Sequence, residues 1–415
     1  LPSRRSATTN IAGVLRDAGR AHSSAGTSLL RNVLVAAQVA LSVVLVAASV
    51  LLARSLLNTE RVDPGVDAER IAVLGTNLLQ GGVPQQDTGA VAEQIRERIR
   101  AVPGVESEAL TIRLPLASGP SSSTIVEGYE LARGTGAIEM PFAGVSPGYF
   151  STMGIPLLAG RDFAATDRRD SAPVVVVSET TARVFFGGDA VGKRVRPQDD
   201  PDAWREVIGV VADVKVQDLQ EPPTPLMYLS TEQTNPGGFS VVVRTAGDPA
   251  ALLGALQRAL REVRGSLPVT RIEPFETQVA RALEAARTSA LLAAACAALA
   301  LVLASLGIYA AISFSVECRT QEIGIRTALG ARTAQLVRTV VGSSMRVACI
   351  GVGVGLVFAV LAAQGMRAML FGVGPLDIAS LAVAALLLIG AAALAAFVPA
   401  LRASRANPLE VLRNS

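Results

Sequence analysis

Four long intervals of this chain contain no Asp, Glu, Lys or Arg, and they constrain the fold more than any other feature. They cover residues 32–53, 288–316, 347–366 and 378–401, that is 22, 29, 20 and 24 residues. An α-helix rises about 1.5 Å per residue, so roughly 20 residues cross a hydrocarbon core of about 30 Å. Buried helices of soluble domains are usually shorter, about 11–12 residues. The intervals are rich in Ala, Val and Leu and predict four transmembrane helices. The first is no signal peptide: it begins some 30 residues into the sequence, lacks a small-residue cleavage site before Arg54, and exceeds the length of an h-region.

Charge bookkeeping orients the spans. Residues 58–287 hold 23 basic and 30 acidic side chains, net −7, and the rest holds 15 basic and 5 acidic, net +10, which together give the chain's +3. The basic excess sits in residues 1–31, 317–346 and after 401. The positive-inside rule puts those three segments in the cytoplasm. Both termini are then inside, residues 58–287 form an extracytoplasmic domain, and 367–377 is a short outer loop. The predicted spans are 32–57, 288–316, 347–366 and 378–401, with a cytoplasmic loop at 317–346 and a cytoplasmic tail at 402–415. The basic character thus reflects topology, and no aromatic-interleaved basic patch points to nucleic acid.

Chemistry-bearing clusters are scarce. One histidine disfavours a His-based metal site or catalytic triad, and three cysteines exclude a disulfide-dense scaffold. No catalytic residue, metal ligand or cofactor bound by this chain is expected. Gly187, Gly192 and Lys193 have the spacing of a phosphate-binding loop, but Arg194 stands where that loop needs Ser or Thr, and the segment follows a predicted helix. A turn with basic surface residues is the better reading.

The outer segment reads as mixed α and β. Strands are predicted at 70–77, 105–114, 173–177, 204–216, 240–245 and 268–272, and helices at 88–100, 179–186 and 249–264. Two strand–helix–strand units, 70–114 and 240–272, suggest small ferredoxin-like subdomains. The fold class is therefore an α-helical membrane protein with four transmembrane helices and an α+β extracytoplasmic domain between helices 1 and 2.

In the cytoplasmic loop, Glu322 and Arg326 stand at i and i+4, and Ile323 and Leu329 offer apolar contacts beside Gly330. On residue physics alone, a surface for a partner protein and a solvated connector both stay open. The run Glu322-Ile323-Gly324-Ile325-Arg326-Thr327-Ala328-Leu329-Gly330-Ala331 resembles the cytoplasmic signature of FtsX-like, or MacB-like, ABC transporter permeases. The tail Pro399-Ala400-Leu401-Arg402-Ala403-Ser404-Arg405-Ala406-Asn407-Pro408-Leu409 resembles the end of the family's fourth helix. Val145-Ser146-Pro147-Gly148-Tyr149-Phe150, Gly154-Ile155-Pro156-Leu157, Gly160-Arg161-Asp162-Phe163 and Gly192-Lys193-Arg194 resemble its periplasmic core domain.

The resemblance implies a coupling surface of Glu322, Ile323, Gly324, Arg326, Ala328, Leu329 and Gly330. It also implies a separate cytoplasmic ATPase subunit that supplies ATP and Mg, and a second permease half or a homodimer in the inner membrane. The chain is then a non-catalytic permease subunit. A sensor or scaffold that regulates an extracytoplasmic partner without transport is the alternative. In the third span, Gly351 and Gly355 form a small-xxx-small face for helix packing. Finally, Pro2, Arg5, Asn10, Val14, Leu15 and Arg16 match Pro399, Arg402, Asn407, Val411, Leu412 and Arg413 at a constant offset. This suggests that residues 1–16 are the tail of a preceding repeat, as in duplicated permeases of the acidobacterial type.

Overall fold

The computed structural model describes residues 11–129, 137–318, 333–374 and 376–404. Two compact units emerge: Thr59–Ala285, and Leu1–Asn58 together with Ala286–Ser415. The long helices are α1 (Ile11–Glu60), α7 (Phe275–Cys318), α8 (Thr333–Gly365) and α9 (Ile378–Ser404), and the second unit carries all of them but the first turns of α7 and the last residues of α1. Each contains a stretch long and apolar enough to cross a membrane. All four helices outrun the charge-free intervals. α7 starts 13 residues before the predicted span at 288, because Arg281, Glu284 and Arg287 put charge on a helix that is already formed. Charge marks where hydrocarbon ends, and helices continue past that point.

In Thr59–Ala285, the two strand–helix–strand units are halves of one sheet, which corrects the expectation of separate subdomains. β1 (Ile71–Asn77), α2 (Thr88–Arg100) and β2 (Val105–Thr111) form the first half; β10 (Gly238–Thr245), α6 (Pro249–Val263) and β11 (Val269–Pro274) form the second. The strands interleave in the order β11-β1-β10-β2, all antiparallel, which is the split βαβ arrangement. Side chains alternate across this sheet as the strand period requires. Ala72, Leu74, Leu110, Val241 and Val243 face a core shared with Ile95 and Ile99 of α2 and Leu256 and Leu260 of α6. The i, i+4 spacing on both helices builds that face, and each buried aliphatic chain is worth about 1.5–3 kcal/mol. The α6 start is fixed by Pro249 and by the Asp248 carboxylate, which accepts the Ala250 N–H at 2.8 Å.

The residues inserted between the halves form a second layer. β3 (Ser121–Val126), β4 (Ala137–Val145), β6 (Val174–Ser178), β7 (Arg194–Pro197), β8 (Arg205–Val211) and β9 (Met227–Ser230) pair in a closed ring, because β9 returns to lie parallel to β4. Every one of the six strands contributes to its interior: Val126, Met140, Val175, Val195, Val207 and Met227. The opposite faces of these strands pack on the second face of the split sheet, where Tyr149, Phe150 and Tyr228 meet Val73, Ala109 and Val242.

Two predicted strands run shorter than expected. β2 ends at Thr111, whose hydroxyl bonds both the N–H and the C=O of Arg113 and turns the chain. β8 ends at Val211 because Asp213 leaves the sheet to cap α4 (Glu179–Phe186), accepting the Thr180 N–H at 2.8 Å. Helices 88–100 and 179–186 stand at their predicted limits.

One buried ion cluster ties α2 to the split sheet. The Glu108 side chain on β2 is 1% exposed and meets Arg96 at 3.1 Å and Arg100. Burial works against the Arg96 charge, but Glu108, Glu93 and Glu232 outweigh it and raise the guanidinium above its ordinary value. Removing one partner of a buried pair leaves uncompensated charge and costs about 3–5 kcal/mol. Glu108→Gln is therefore expected to lower the unfolding midpoint of this unit. The fluorescence of Trp204, the only tryptophan in the chain, reads it directly.

Candidate functional site

The helical unit is held together around α1 by three kinds of contact. The first is close approach at glycine. A Cβ at Gly351 would lie 2.7 Å from the Ala36 carbonyl oxygen and 2.9 Å from Val39 Cβ; one at Gly355 would lie 2.7 Å from the Ala40 carbonyl oxygen and 2.6 Å from Val43 Cβ. Only glycine lets the α8 and α1 backbones come this close, and in lipid such packing replaces the hydrophobic drive. Gly307 of α7 likewise makes room for the Gln38 side chain, whose Oε1 would be 2.5 Å from a Cβ there.

The second is polar satisfaction inside the apolar bundle. Ser42 shares its one hydroxyl proton between the Gln38 carbonyl of its own helix at 2.9 Å and the Ala300 carbonyl of α7 at 3.1 Å.

The third sits at the two ends. At the outer end, Arg54 pairs with Asp377 and donates to Ser380 Oγ at 3.3 Å. Asn58 donates to the Gly372 carbonyl at 3.1 Å, and the Phe371 N–H donates to Ser55 Oγ at 2.9 Å. Asp377 also caps α9, accepting the Ser380 N–H at 3.0 Å. The outer end of α1 is thereby clasped to the loop between α8 and α9. At the inner end, the Arg31 guanidinium lies 4.9 Å from the Phe314 ring centroid and links α1 to α7.

Of the sequence-derived residues, Gly351 and Gly355 lie on the α8 face toward α1. Glu322, Ile323, Gly324, Arg326, Ala328, Leu329 and Gly330 lie outside the described residues, as do positions 2, 5 and 10 and the repeat positions 407, 411, 412 and 413. The phosphate-loop spacing resolves into a turn between α4 and β7, with Gly187 at φ +63° closing the helix and Gly188 and Gly192 also at positive φ. Arg194 pairs there with Glu127 at 2.7 Å and lies over Trp204. Among the described residues no cluster of His, Cys, Asp or Glu could hold a metal ion. The clasp was missed from sequence. Its only signal was that Arg54 and Asp377, the charges bounding two spans, fall on the same predicted face.

Residues 33–263 match the family model of the MacB-like periplasmic core domain, and residues 294–408 match that of the FtsX-like permease C-terminal region. The chain belongs to the FtsX-like, MacB-like ABC transporter permeases. Among its relatives, the macrolide export ATP-binding/permease protein MacB of Neisseria meningitidis is 28% identical over 288 residues, covering 65% of this chain and 42% of that protein. The protein of the same name from Rhodopseudomonas palustris is 27% identical over 371 residues, covering 82% and 52%. The chain spans about half the length of the curated relatives it matches. The solved periplasmic region of MacB from Actinobacillus actinomycetemcomitans is similar at 16% identity with a TM-score of 0.36, covering 51% of this chain and 92% of that one. As in this permease family, the chain is an inner-membrane protein whose β-rich core domain, set between helix 1 and the remaining helices, is extracytoplasmic.

The clasp carries a pH dependence with a defined sign. The Ser380 hydroxyl, together with the Ser380 N–H and Arg54, holds the Asp377 carboxyl below its ordinary value. Its stabilising contribution is thus present above about pH 4 and is lost as pH falls through the lowered folded value. Asp377→Ala removes the cap at neutral pH, at about 1 kcal/mol. Protection factors of the first-turn amides of α9, taken against the intrinsic exchange rate at each pH, are expected to fall severalfold in the variant, and in the wild type only on acidification. At the other contact, Gly355→Leu is expected to lower the thermal midpoint of the helical unit in detergent, by an overpacking cost of about 1–3 kcal/mol.

Proposed function

We propose that this chain is the permease subunit of an ABC transporter whose ATPase is a separate cytoplasmic protein, and that it works by carrying motion across the membrane. ATP binding, with Mg, draws two ATPase subunits together, and each pushes on a coupling surface formed by Glu322, Ile323, Gly324, Arg326, Ala328, Leu329 and Gly330. A second permease half or a second copy of this chain completes the assembly.

The observation that carries this reading is the unbroken course of α7. It begins at Phe275, fully buried in the core of the outer unit, and runs without interruption to Cys318, next to the cytoplasmic loop. A continuous helix transmits displacement along its axis, since each residue's position is fixed by its hydrogen-bonded neighbours. The spans supply the complement. No Asp, Glu, Lys, Arg or His side chain lies within the four charge-free intervals, whereas proton relays and midplane ion sites are built from such groups. Work done outside the bilayer, on cargo handled by the outer domain, fits that chemistry.

Export or extraction of a substrate follows, and the name of the relatives makes macrolides the first cargo to assay. Arg326→Glu combined with Gly330→Trp is expected to leave membrane insertion intact while abolishing stimulation of the partner ATPase in reconstituted liposomes. Stimulation equal to the wild type would remove the coupling assignment. ATP-dependent activation of a wall-modifying partner with no cargo movement would favour the regulatory alternative.

A further inference from the structure

The outer unit contains a buried cation with no anion to match it among the described residues. Arg113 is 5% exposed and follows β2, at the seam between the split sheet and the strand ring. Its Nη1 donates to the Pro120 carbonyl at 2.8 Å, while Nε and Nη2 are buried with no partner. No carboxylate among the described residues comes within ion-pairing distance. The carboxylate that acts on it most strongly is Glu221, which is occupied by the N–H groups of Val216 and Gln217. Burial accordingly draws the Arg113 guanidinium below its ordinary value. The hydroxyl of Tyr228, 1% exposed, is a second buried group without a partner.

Both residues line the same small cavity, otherwise walled by Leu114, Ala143, Val216, Leu226 and Tyr149. The Tyr149 hydroxyl is already bonded to Thr111 and is not free for a guest. The seat for the arginine is built in: a Cβ on Gly119 would fall 2.8 Å from Arg113 Cγ. A buried polar group without a partner costs about 1–3 kcal/mol, and more when charged. An acceptor in the cavity recovers that cost.

Size and chemistry narrow the guest. The cavity has room for about one water-sized particle. A space this small favours a monatomic guest over phosphate, sulfate or a carboxylate. The unsatisfied groups are two guanidinium nitrogens, which can only donate, and a phenol that can donate, set in apolar walls, so the guest accepts hydrogen bonds and carries negative charge. We propose that the Arg113–Tyr228 cavity is a binding site for a single monatomic anion, chloride in the extracytoplasmic space, which pins the split sheet to the strand ring.

The test uses the full chain in detergent. At fixed ionic strength, replacing gluconate by chloride is expected to raise the midpoint of the Trp204 fluorescence transition by about 2–4 °C. The shift is expected to shrink in Tyr228→Phe and to vanish in Arg113→Met. In parallel, the bromide NMR line should broaden in the presence of the wild type and sharpen on titration with chloride. Equal midpoints in the two salts, or no broadening, overturns the proposal. So does a chloride shift undiminished in both variants, which would place the anion elsewhere, or a water instead of bromide at Arg113 in bromide-grown crystals. Should Arg113→Met fail to fold, Tyr228→Phe and the wild-type line width decide the matter alone.

Discussion

A peptide N–H or C=O in hydrocarbon has no water to bond, so every such group must be satisfied within the chain. That constraint shapes the rest of this protein. It forces the four apolar intervals into helices whose backbones close on themselves, and it pushes charge to the interval ends. Arg54 and Asp377 stand at such ends, free to meet each other and Ser380. Inside the bundle, the Ser42 hydroxyl is satisfied by the Gln38 and Ala300 carbonyls.

The same constraint explains how the bundle coheres. Lipid tails are as apolar as Val or Leu, so burying aliphatic side chains between helices gains little beyond contact itself. The unit therefore relies on closeness, and the glycines at 351 and 355 allow backbone-to-side-chain contacts that any Cβ would forbid. Large side chains such as Leu291, Leu299, Phe358 and Leu394 are left on the outside, where lipid or another membrane helix covers them. In the outer unit the economy is reversed. Water drives its cores together, and the split sheet is buried on both faces, by helices on one and by the strand ring on the other.

Local features were legible from sequence and non-local ones were not. The helix Thr88–Arg100 is amphipathic and bounded by turn signals, and Glu179–Phe186 follows a Ser178 that caps it by accepting the Thr181 N–H. Both could be delimited to the residue. The charge map placed the spans but understated the helices, since Arg281 and Arg287 hid the first turns of α7. Interleaving of β1 and β10 could not be read, because Leu74 and Val241 meet across a register that no local pattern encodes. The parallel return of β9 to β4 is equally non-local. Candidate site residues divide the same way. The glycine face shows as a spacing of four, whereas the clasp joins residues more than three hundred positions apart and the Arg113 cavity draws on four separate segments.

The central claim is that one chain crosses the membrane with its β-rich unit outside and the segment after α7 inside. Membrane-impermeant thiol labelling tests it most directly, with the native cysteines at 296, 318 and 349 replaced by serine. A cysteine at Ser123 is expected to label in intact spheroplasts, and one at Thr327 only after the membrane is opened. Labelling of position 327 in sealed spheroplasts, with position 123 protected, would contradict the account.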